Sequence, residues 1–215
     1  MRPRKIIRTA PGNLIGSLKT LPIVIAAAFL WLEPARLPAE EPMEQVRQTV
    51  DRILAIVNDP RLRDESRRQE RRRKLREAIV ERFDFPEMAR RSLGPDWRRL
   101  RPEQQKEFIN LFSALLEDAY LDRIESYSGQ KVEYIRERRD GDYAEVETRI
   151  VDRLGREFPV DYRLRRTNGD WKVYDVVIEN VSLVANYRSQ FRRVLARSSV
   201  EDLLARMKDK AFSAA

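Results

Sequence analysis

The sequence predicts an α+β fold with a curved antiparallel sheet of about four strands. Three observations support this class. Residues 40–128 carry apolar residues at helical spacing, residues 129–180 contain four strand-like runs separated by turn signals, and residues 181–210 return to helical spacing. We therefore predict one domain over residues 40–215, in which N-terminal helices and a C-terminal helical segment pack with the sheet. Such an arrangement can enclose an apolar cavity.

The first 39 residues have the layout of a secretory signal peptide. Basic residues such as Arg2 and Lys5 come first, and an apolar stretch from Leu21 to Leu32 follows before small residues and prolines. This stretch is short against the roughly 20 residues needed to span a bilayer. We expect export and cleavage near Leu37–Ala39, an imperfect cleavage site. The alternative is a retained amphiphilic anchor helix.

Composition excludes several classes of function. The chain has no cysteine and no histidine, so it has no disulfide, no thiolate metal site and no histidine base. It also lacks a glycine-rich phosphate loop. The formal charge is +8, but the predicted leader holds six basic residues and one acid, so the mature chain would carry +3. Most of the charge excess leaves with the leader.

Four helices are predicted in the first half. They are "PMEQVRQTVDRILAIVND", "ESRRQERRRKLREAIVERF", "FPEMARRSLG" and "PEQQKEFINLFSALLEDAYLDRI". Asn58 to Pro60 ends the first helix, Gly94 stops the third, and Pro102 suits the first turn of the fourth. The fourth helix has a wide apolar stripe, formed by Phe108, Leu111, Phe112, Leu115, Leu116, Ala119, Tyr120 and Ile124. We expect a stripe this wide to cover more than one neighbour.

Four strands follow in the second half. They are "KVEYI", "YAEVETRIV", "EFPVDYRLRR" and "DWKVYDVVIE", separated by Asp140-Gly141, Leu154-Gly155 and Asn168-Gly169. Asp-Gly and Asn-Gly favour tight hairpins, so we predict an antiparallel meander. In the second and third strands, alternate residues form one buried face. These residues are Ala144, Val146, Thr148 and Ile150, opposite Phe158, Val160, Tyr162 and Leu164.

The last of these strands is apolar on both faces, which is typical of a central strand that is covered on two sides. Strict alternation puts Trp171, Val173, Asp175 and Val177 on one face and Lys172, Tyr174, Val176 and Ile178 on the other. A final helix carries Val184, Tyr187, Phe191 and Val194 at helical spacing. We expect this helix to pack back on the sheet.

Two segments carry a resemblance to a known family. "WKVYDVVIENVSLVANYRSQF" and "MARRSLGPDWRRLRPEQQKEFINLFSALLEDAY" resemble the MlaC/toluene-tolerance family of periplasmic phospholipid-binding proteins. The resemblance covers most of residues 42–210 in order, behind an export signal that the family also carries. One departure is Asn180, where the family often has glycine. Because asparagine tolerates a positive φ, we expect the turn to be kept.

The resemblance implies a fold, a ligand and partners. The fold is an NTF2-like sheet joined to helices, with a deep apolar cavity for lipid acyl chains. The implied role is a soluble periplasmic carrier, not an enzyme, which shuttles phospholipid between an outer-membrane lipoprotein complex and an inner-membrane ABC transporter complex with an MCE-domain ring. No cofactor and no nucleic acid is implied, and we expect a monomer. A hopanoid or another polycyclic lipid is an alternative ligand.

Candidate lipid-binding residues follow from this interpretation. We expect acyl chains to lie between the sheet and the surrounding helices. The predicted contact residues are Phe108, Phe112, Leu115, Tyr120, Val146, Ile150, Val160, Tyr162, Val177, Val184 and Tyr187. Moving one methylene from water into an apolar environment is favourable by about 0.8 kcal/mol. A carrier with an apolar lining keeps this stabilisation when it takes a lipid from a membrane, so it needs no energy source of its own.

Asp175 supports two interpretations. It is either a general base in a pocket, as in ketosteroid-isomerase-like members of the same broad fold, or a structural acceptor for backbone amides, Ser182 or an arginine. We favour the structural acceptor, because buried acids are normally paired and this strand ends beside a helix N-terminus.

A basic run in the second helix, Arg71, Arg72, Arg73 and Lys74, is a candidate docking surface. The simplest interpretation is a solvated helix face. The alternative is docking on acidic partner proteins or anionic headgroups, where such charge mainly raises encounter rates. No nucleic-acid motif accompanies the run.

Overall fold

A computed structural model describes residues 41–127 and 129–212. The predicted signal peptide, residues 1–39, lies outside the described residues. The helices are α1 Pro42–Asn58, α2 Arg68–Arg82, α3 Phe85–Leu93, α4 Pro102–Glu125, α5 Leu183–Leu195 and α6 Val200–Lys208. The strands are β1 Lys131–Asp140, β2 Tyr143–Val151, β3 Glu157–Thr167, β4 Asp170–Ile178 and β5 Val181–Ser182. The predicted α+β class is confirmed, and one short strand is added to the predicted four.

Local signals define the helix ends. The Asp84 side chain accepts a hydrogen bond from the Glu87 backbone N–H at 3.0 Å and so caps α3. Gly94 ends α3 with a φ of 61°, a conformation that glycine adopts without strain. Pro102 occupies the first turn of α4, where no backbone N–H is needed. The predicted beginnings and ends of these helices are therefore close to the observed ones.

The sheet is an antiparallel meander in the order β1-β2-β3-β4-β5. In the β3–β4 turn, Asn168 and Gly169 both have positive φ, 53° and 91°, as a tight hairpin turn requires. The predicted partnership of β2 and β3 is confirmed, since Val146 lies opposite Tyr162. These residues lie on the inner face of the sheet, which is the face that also carries Ala144, Thr148, Ile150, Phe158, Val160 and Leu164.

The predicted division of β4 into two faces is wrong beyond Val173. Arg163 pairs with Asp175 but the next residue, Leu164, pairs with Val173, so Tyr174 is an extra residue in β4. This β-bulge shifts the alternation by one residue. Val176 and Ile178 therefore lie on the inner face with Trp171 and Val173, while Asp175 and Val177 lie on the outer face.

β4 lies inside the sheet, between β3 and the short β5. One of its edges pairs with β3, and the other is completed by a bridge to Phe83 and by the two-residue β5. Between β4 and β5, Glu179 and Asn180 have positive φ of 48° and 67°. The expectation that Asn180 keeps a left-handed turn is confirmed.

Two apolar clusters form the core. The bundle cluster joins α3, α4, α5 and α6, and its rings include Phe108, Phe112, Tyr187 and Phe191. The sheet cluster joins α1 to the inner face of the sheet. The helices α3 and α5 contact the sheet at β4. In the part of the chain that the structure describes, no helix is both long enough and apolar enough to cross a membrane.

Candidate functional site

A cavity of about 1,020 Å³ lies between the inner face of the sheet and helices α1, α2 and α4. Its volume is at the upper end of the range of about 300–1,000 Å³ for ligand pockets. The apolar residues that line it are Val46, Val50, Ile53, Leu54, Ile79, Val80, Phe83, Phe85, Pro86, Met88, Ala114, Leu116, Leu121, Ile124, Val132, Ile150, Phe158, Val160, Val173, Val176, Ile178 and Leu183. This lining suits an apolar ligand.

The sheet forms one wall through alternate residues of β1 to β4. Val132 of β1 lies opposite Ile150 of β2, and both line the cavity. On β4, the bulge at Tyr174 is what places Val176 and Ile178 in this wall. Without the extra residue, strict alternation would put these two side chains on the outer face.

Helix α4 contacts both the cavity and the bundle cluster, and Leu116 belongs to both. Ser113, Leu121 and Ile124 line the cavity, whereas Phe108 and Phe112 are fully buried among rings of the bundle cluster. In that cluster, the Phe112 ring centroid lies 5.5 Å from that of Tyr187, in an edge-to-face arrangement. One wide apolar stripe thus serves two different environments.

The cavity includes four of the predicted lipid-binding residues, namely Tyr120, Ile150, Val160 and Tyr162. The other seven lie elsewhere. Phe108, Phe112, Leu115, Val184 and Tyr187 belong to the bundle cluster, Val146 is fully buried in the sheet cluster, and Val177 lies on the outer face of the sheet. Helical spacing identifies apolar faces, but it does not tell which face packs and which borders a space.

Sequence reasoning missed the contribution of α1 and α2. Val50 and Ile53 of α1 and Ile79 of α2 line the cavity. The apolar spacing of α1 was visible in the sequence, where it indicated only a helix that packs. The apolar pattern of α2 is weaker in the sequence. In the structure, only Leu75 and Ala78 of this helix are buried.

Polar side chains form the smaller part of the lining. Burial raises the pKa of the Tyr162 hydroxyl to about 12, so this residue is neutral at physiological pH. The hydroxyls of Tyr127 and Thr167 are buried without a hydrogen-bond partner in the described part of the chain. Within residues 41–127 and 129–212, no group of acidic side chains could hold a metal ion. The arrangement suits binding of an apolar group.

The charged residues of the lining are mostly engaged with their own chain. Arg76 donates from Nε to Glu117 Oε2 at 2.8 Å. Arg82 donates to the carbonyl of Trp171 at 2.7 Å, and so ties α2 to β4. Lys172 donates from Nζ to the Glu81 carbonyl, also at 2.7 Å. These contacts fix α2 and β4 at the border of the cavity.

Asp175 lies outside the cavity lining and is 3% exposed. Its carboxylate accepts hydrogen bonds from Ser182 Oγ at 2.6 Å and from the Val184 backbone N–H at 3.0 Å, and Arg163 lies 3.3 Å away. Since the Val184 N–H is in the first turn of α5, the carboxylate also complements the helix dipole. The predicted contacts of a structural acceptor are confirmed. The pocket base required for the enzyme interpretation would have to be another residue.

The candidate docking run is paired within the chain. Arg71 and Arg72 each place a nitrogen 2.8 Å from Glu125 of α4, and the Arg71–Glu125 pair is nearly buried. Arg73 pairs with Glu77, and Lys74 pairs with Glu70, within α2 itself. Docking through this run stays a prediction. Arg73 is the most accessible arginine of the run, with 57% of its side chain exposed.

Comparison with protein families gives a match over most of the chain. The model of the family described as "MlaC protein" matches residues 47–209. The chain is 27% identical to the intermembrane phospholipid transport system binding protein MlaC of Haemophilus influenzae, over 55% of this chain and 58% of that protein. It is 28% identical to toluene tolerance protein ttg2D of Pseudomonas putida, over 47% of each chain.

Comparison with solved structures gives a match with the same fold. The phospholipid-binding protein from Ralstonia solanacearum, solved in complex with a phospholipid, superposes with a TM-score of 0.72 and 28% identity. The match covers 80% of this chain and 97% of that one. By contrast, the chain spans about half the length of the curated relatives it matches.

Proposed function

The chain belongs to the MlaC family, and from this premise we propose that it is a carrier of phospholipid that holds the acyl chains in the cavity. The observation that supports this most directly is the apolar cavity of about 1,020 Å³ between the sheet, α1, α2 and α4. The solved relative from R. solanacearum was obtained with a phospholipid bound. The binding residues in this proposal include Tyr120, Ile150, Val160 and Tyr162, which line the cavity.

The energetics of lipid transfer agree with a carrier. Two acyl chains of about 15 methylenes each would lose on the order of 20 kcal/mol if they were exposed to water. A cavity that replaces the membrane interior removes most of this cost. Loading and unloading can then be close to neutral in free energy, and an energy source can lie in a partner. The proposed carrier therefore needs no cofactor.

We place the carrier in the periplasm, as a monomer that shuttles between an outer-membrane lipoprotein complex and an inner-membrane ABC transporter with an MCE-domain ring. The proposed signal peptide, residues 1–39, and the H. influenzae relative, which is named as part of an intermembrane phospholipid transport system, support this. N-terminal sequencing of the exported protein tests the first part. Retention of the Leu21–Leu32 stretch would contradict cleavage.

Two other functions have specific tests. A hopanoid or other polycyclic lipid would use the same apolar lining. An isomerase would need a base in the cavity, and Asp175 lies outside the lining, so Asp175→Asn should leave any turnover of a ketosteroid unchanged. Loss of such turnover in the variant would revive the enzyme interpretation.

The experiment that tests the proposal is identification of the bound ligand. Protein purified without detergent is extracted with organic solvent, and the extract is analysed by lipid mass spectrometry. We expect about one phospholipid per chain. A polycyclic lipid in its place would support the alternative carrier. An empty cavity, with no uptake from phospholipid vesicles, would contradict a lipid-carrier function.

A further inference from the structure

Helices α2 and α4 run side by side in opposite directions and are joined by ion pairs. Arg76 of α2 pairs with Glu117 of α4, and Arg68 pairs with Asp122, so earlier residues of α2 meet later residues of α4. The close packing partner of α2 is α1, whereas α4 packs closely against α3 and α6. We call the line between the two helices the α2–α4 seam.

The cavity reaches solvent at this seam. Seven residues of the lining are exposed, and four of them lie along the seam, namely Arg76 and Val80 on α2 and Asn110 and Ala114 on α4. Val80 is a large apolar side chain with 55% exposure. An exposed apolar residue at the border of an apolar cavity indicates a passage for an apolar ligand.

The ion pair at this place is weak enough to open. The side chains of Arg76 and Glu117 are 49% and 30% exposed, and an ion pair this accessible to water contributes little to stability. On the other side of α4, buried aromatic rings of the bundle cluster hold α4 against α5. Separation of α2 from α4 at Arg76 therefore costs far less than separation of α4 from α5.

We propose that the Arg76 end of the α2–α4 seam, away from the nearly buried Arg71–Glu125 pair, is the port through which lipid enters and leaves the cavity, and that Arg76 exchanges Glu117 for the phosphate of the bound lipid. This rests on the proposed function. The acyl chains pass between the helices, and the head stays at the seam because a charged group is costly to bury. Arg76 lines the cavity, reaches solvent and carries a guanidinium, whose geometry suits a phosphate.

The exchange selects a class of ligand. A lipid with an anionic phosphate gives Arg76 a new partner when the seam opens, so the ion pair lost with Glu117 is replaced. An uncharged lipid with the same chains leaves Arg76 without that partner. The port therefore favours phosphate-bearing lipids over uncharged ones.

The port is tested by closing the seam. Val80→Cys/Ala114→Cys introduces two thiols into a chain that has no cysteine, so a reducible bis-maleimide linker joins only these positions. We expect the linked protein to take up fluorescent phospholipid from vesicles about tenfold more slowly than the same protein before linking. Cleavage of the linker by a reductant should restore the rate.

A matched control links α4 to a helix away from the cavity. Glu107→Cys/Lys208→Cys replaces an ion pair of 2.6 Å between α4 and α6. We expect this linkage to leave uptake unchanged. Equal uptake before and after linking at positions 80 and 114 would overturn the port, while uptake by the unmodified protein would still support the carrier. No uptake by the unmodified protein would instead contradict the carrier itself.

The phosphate contact is tested with two lipids that share their chains. Phosphatidic acid and diacylglycerol differ only in the phosphate. In Arg76→Gln, we expect affinity for phosphatidic acid to fall about tenfold and affinity for diacylglycerol to stay unchanged. An equal loss for both lipids would overturn the exchange. Binding of inorganic phosphate alone to lipid-free protein, lost in Arg76→Gln, would assign Arg76 to free phosphate and also overturn it.

Discussion

The two sides of α4 both carry apolar residues in the sequence but differ in structure. On one side, Phe108, Phe112 and Phe191 interlock with ring centroids 5.4–6.1 Å apart. On the other side, Leu121 and Ile124 border a cavity of about 1,020 Å³. The packed side contributes to the stability of the fold, and the cavity side contributes to ligand binding. Substitutions on the two sides should therefore have different consequences.

The largest effect is expected in the bundle cluster. Phe112 is fully buried against three aromatic rings, so Phe112→Ala should lower the free energy of unfolding by about 3–5 kcal/mol. Because Phe112 does not line the cavity, the fraction that stays folded should retain lipid. Urea denaturation and lipid quantification measure the two quantities. Phe112→Leu is the control, with a cost below about 1.5 kcal/mol. Loss of lipid without loss of stability would reverse the assignment.

The next effect concerns the ion pairs that join α2 to α4. Arg71 and Glu125 are only 12% and 9% exposed, so Arg71→Glu should cost about 3 kcal/mol by placing a second carboxylate beside the nearly buried Glu125. Arg73→Glu, on the exposed side, should change the free energy of unfolding by less than about 0.5 kcal/mol. Thermal unfolding of both variants checks this. Equal costs would mean that Arg71 is not a structural residue.

The same pair of positions separates docking from folding. If the basic run guides the protein to acidic surfaces, Arg73→Glu should slow association at low salt and leave bound lipid unchanged. Charge reversal at Arg71 or Arg72 would confuse the two effects, because both residues hold Glu125. An unchanged association rate for Arg73→Glu at low ionic strength would count against docking through this run.

A smaller effect depends on pH and lies on the bundle side. Burial acts to raise the pKa of Glu87, but hydrogen bonds from Arg90 and Arg91 outweigh it, so the pKa lies below the ordinary value of 4.5. A lowered pKa stabilises the fold above 4.5, and this contribution is lost as pH falls through the lowered value. The stability advantage of wild type over Glu87→Gln should therefore be present at neutral pH and disappear in acid. Denaturation from pH 7 to pH 3 tests this, and a constant difference would contradict it.

Local features were predictable from the sequence because their causes are local. Gly94, Pro102 and the Asn168-Gly169 turn each restrict the backbone at one place, so helix ends and hairpins followed from the residues themselves. The alternation of β2 and β3 also fixed their shared face. These features needed no knowledge of distant parts of the chain.

The parts that escaped prediction depend on distant contacts. The bulge at Tyr174 is defined by the partners of β4 on β3, and the bridge of Phe83 to Val173 joins segments far apart in sequence. The choice of which side of α4 borders the cavity depends on where α2 and α5 lie. No single segment carries that information, so the sequence could not show that Phe112 lies outside the cavity lining.

The central claim, that the part of the inner face around Val160 borders bound lipid, is tested most directly by Val160→Trp. Both Val160 and Val146 belong to the sheet cluster, but Val160 also lines the cavity, whereas Val146 is fully buried and lies outside the lining, so it serves as the control. In delipidated protein, Val160→Trp should change the free energy of unfolding by less than about 1 kcal/mol and reduce the lipid retained, while Val146→Trp should cost about 1–3 kcal/mol through overpacking. A stability loss of that size for Val160→Trp, with lipid retention unchanged, would contradict the claim.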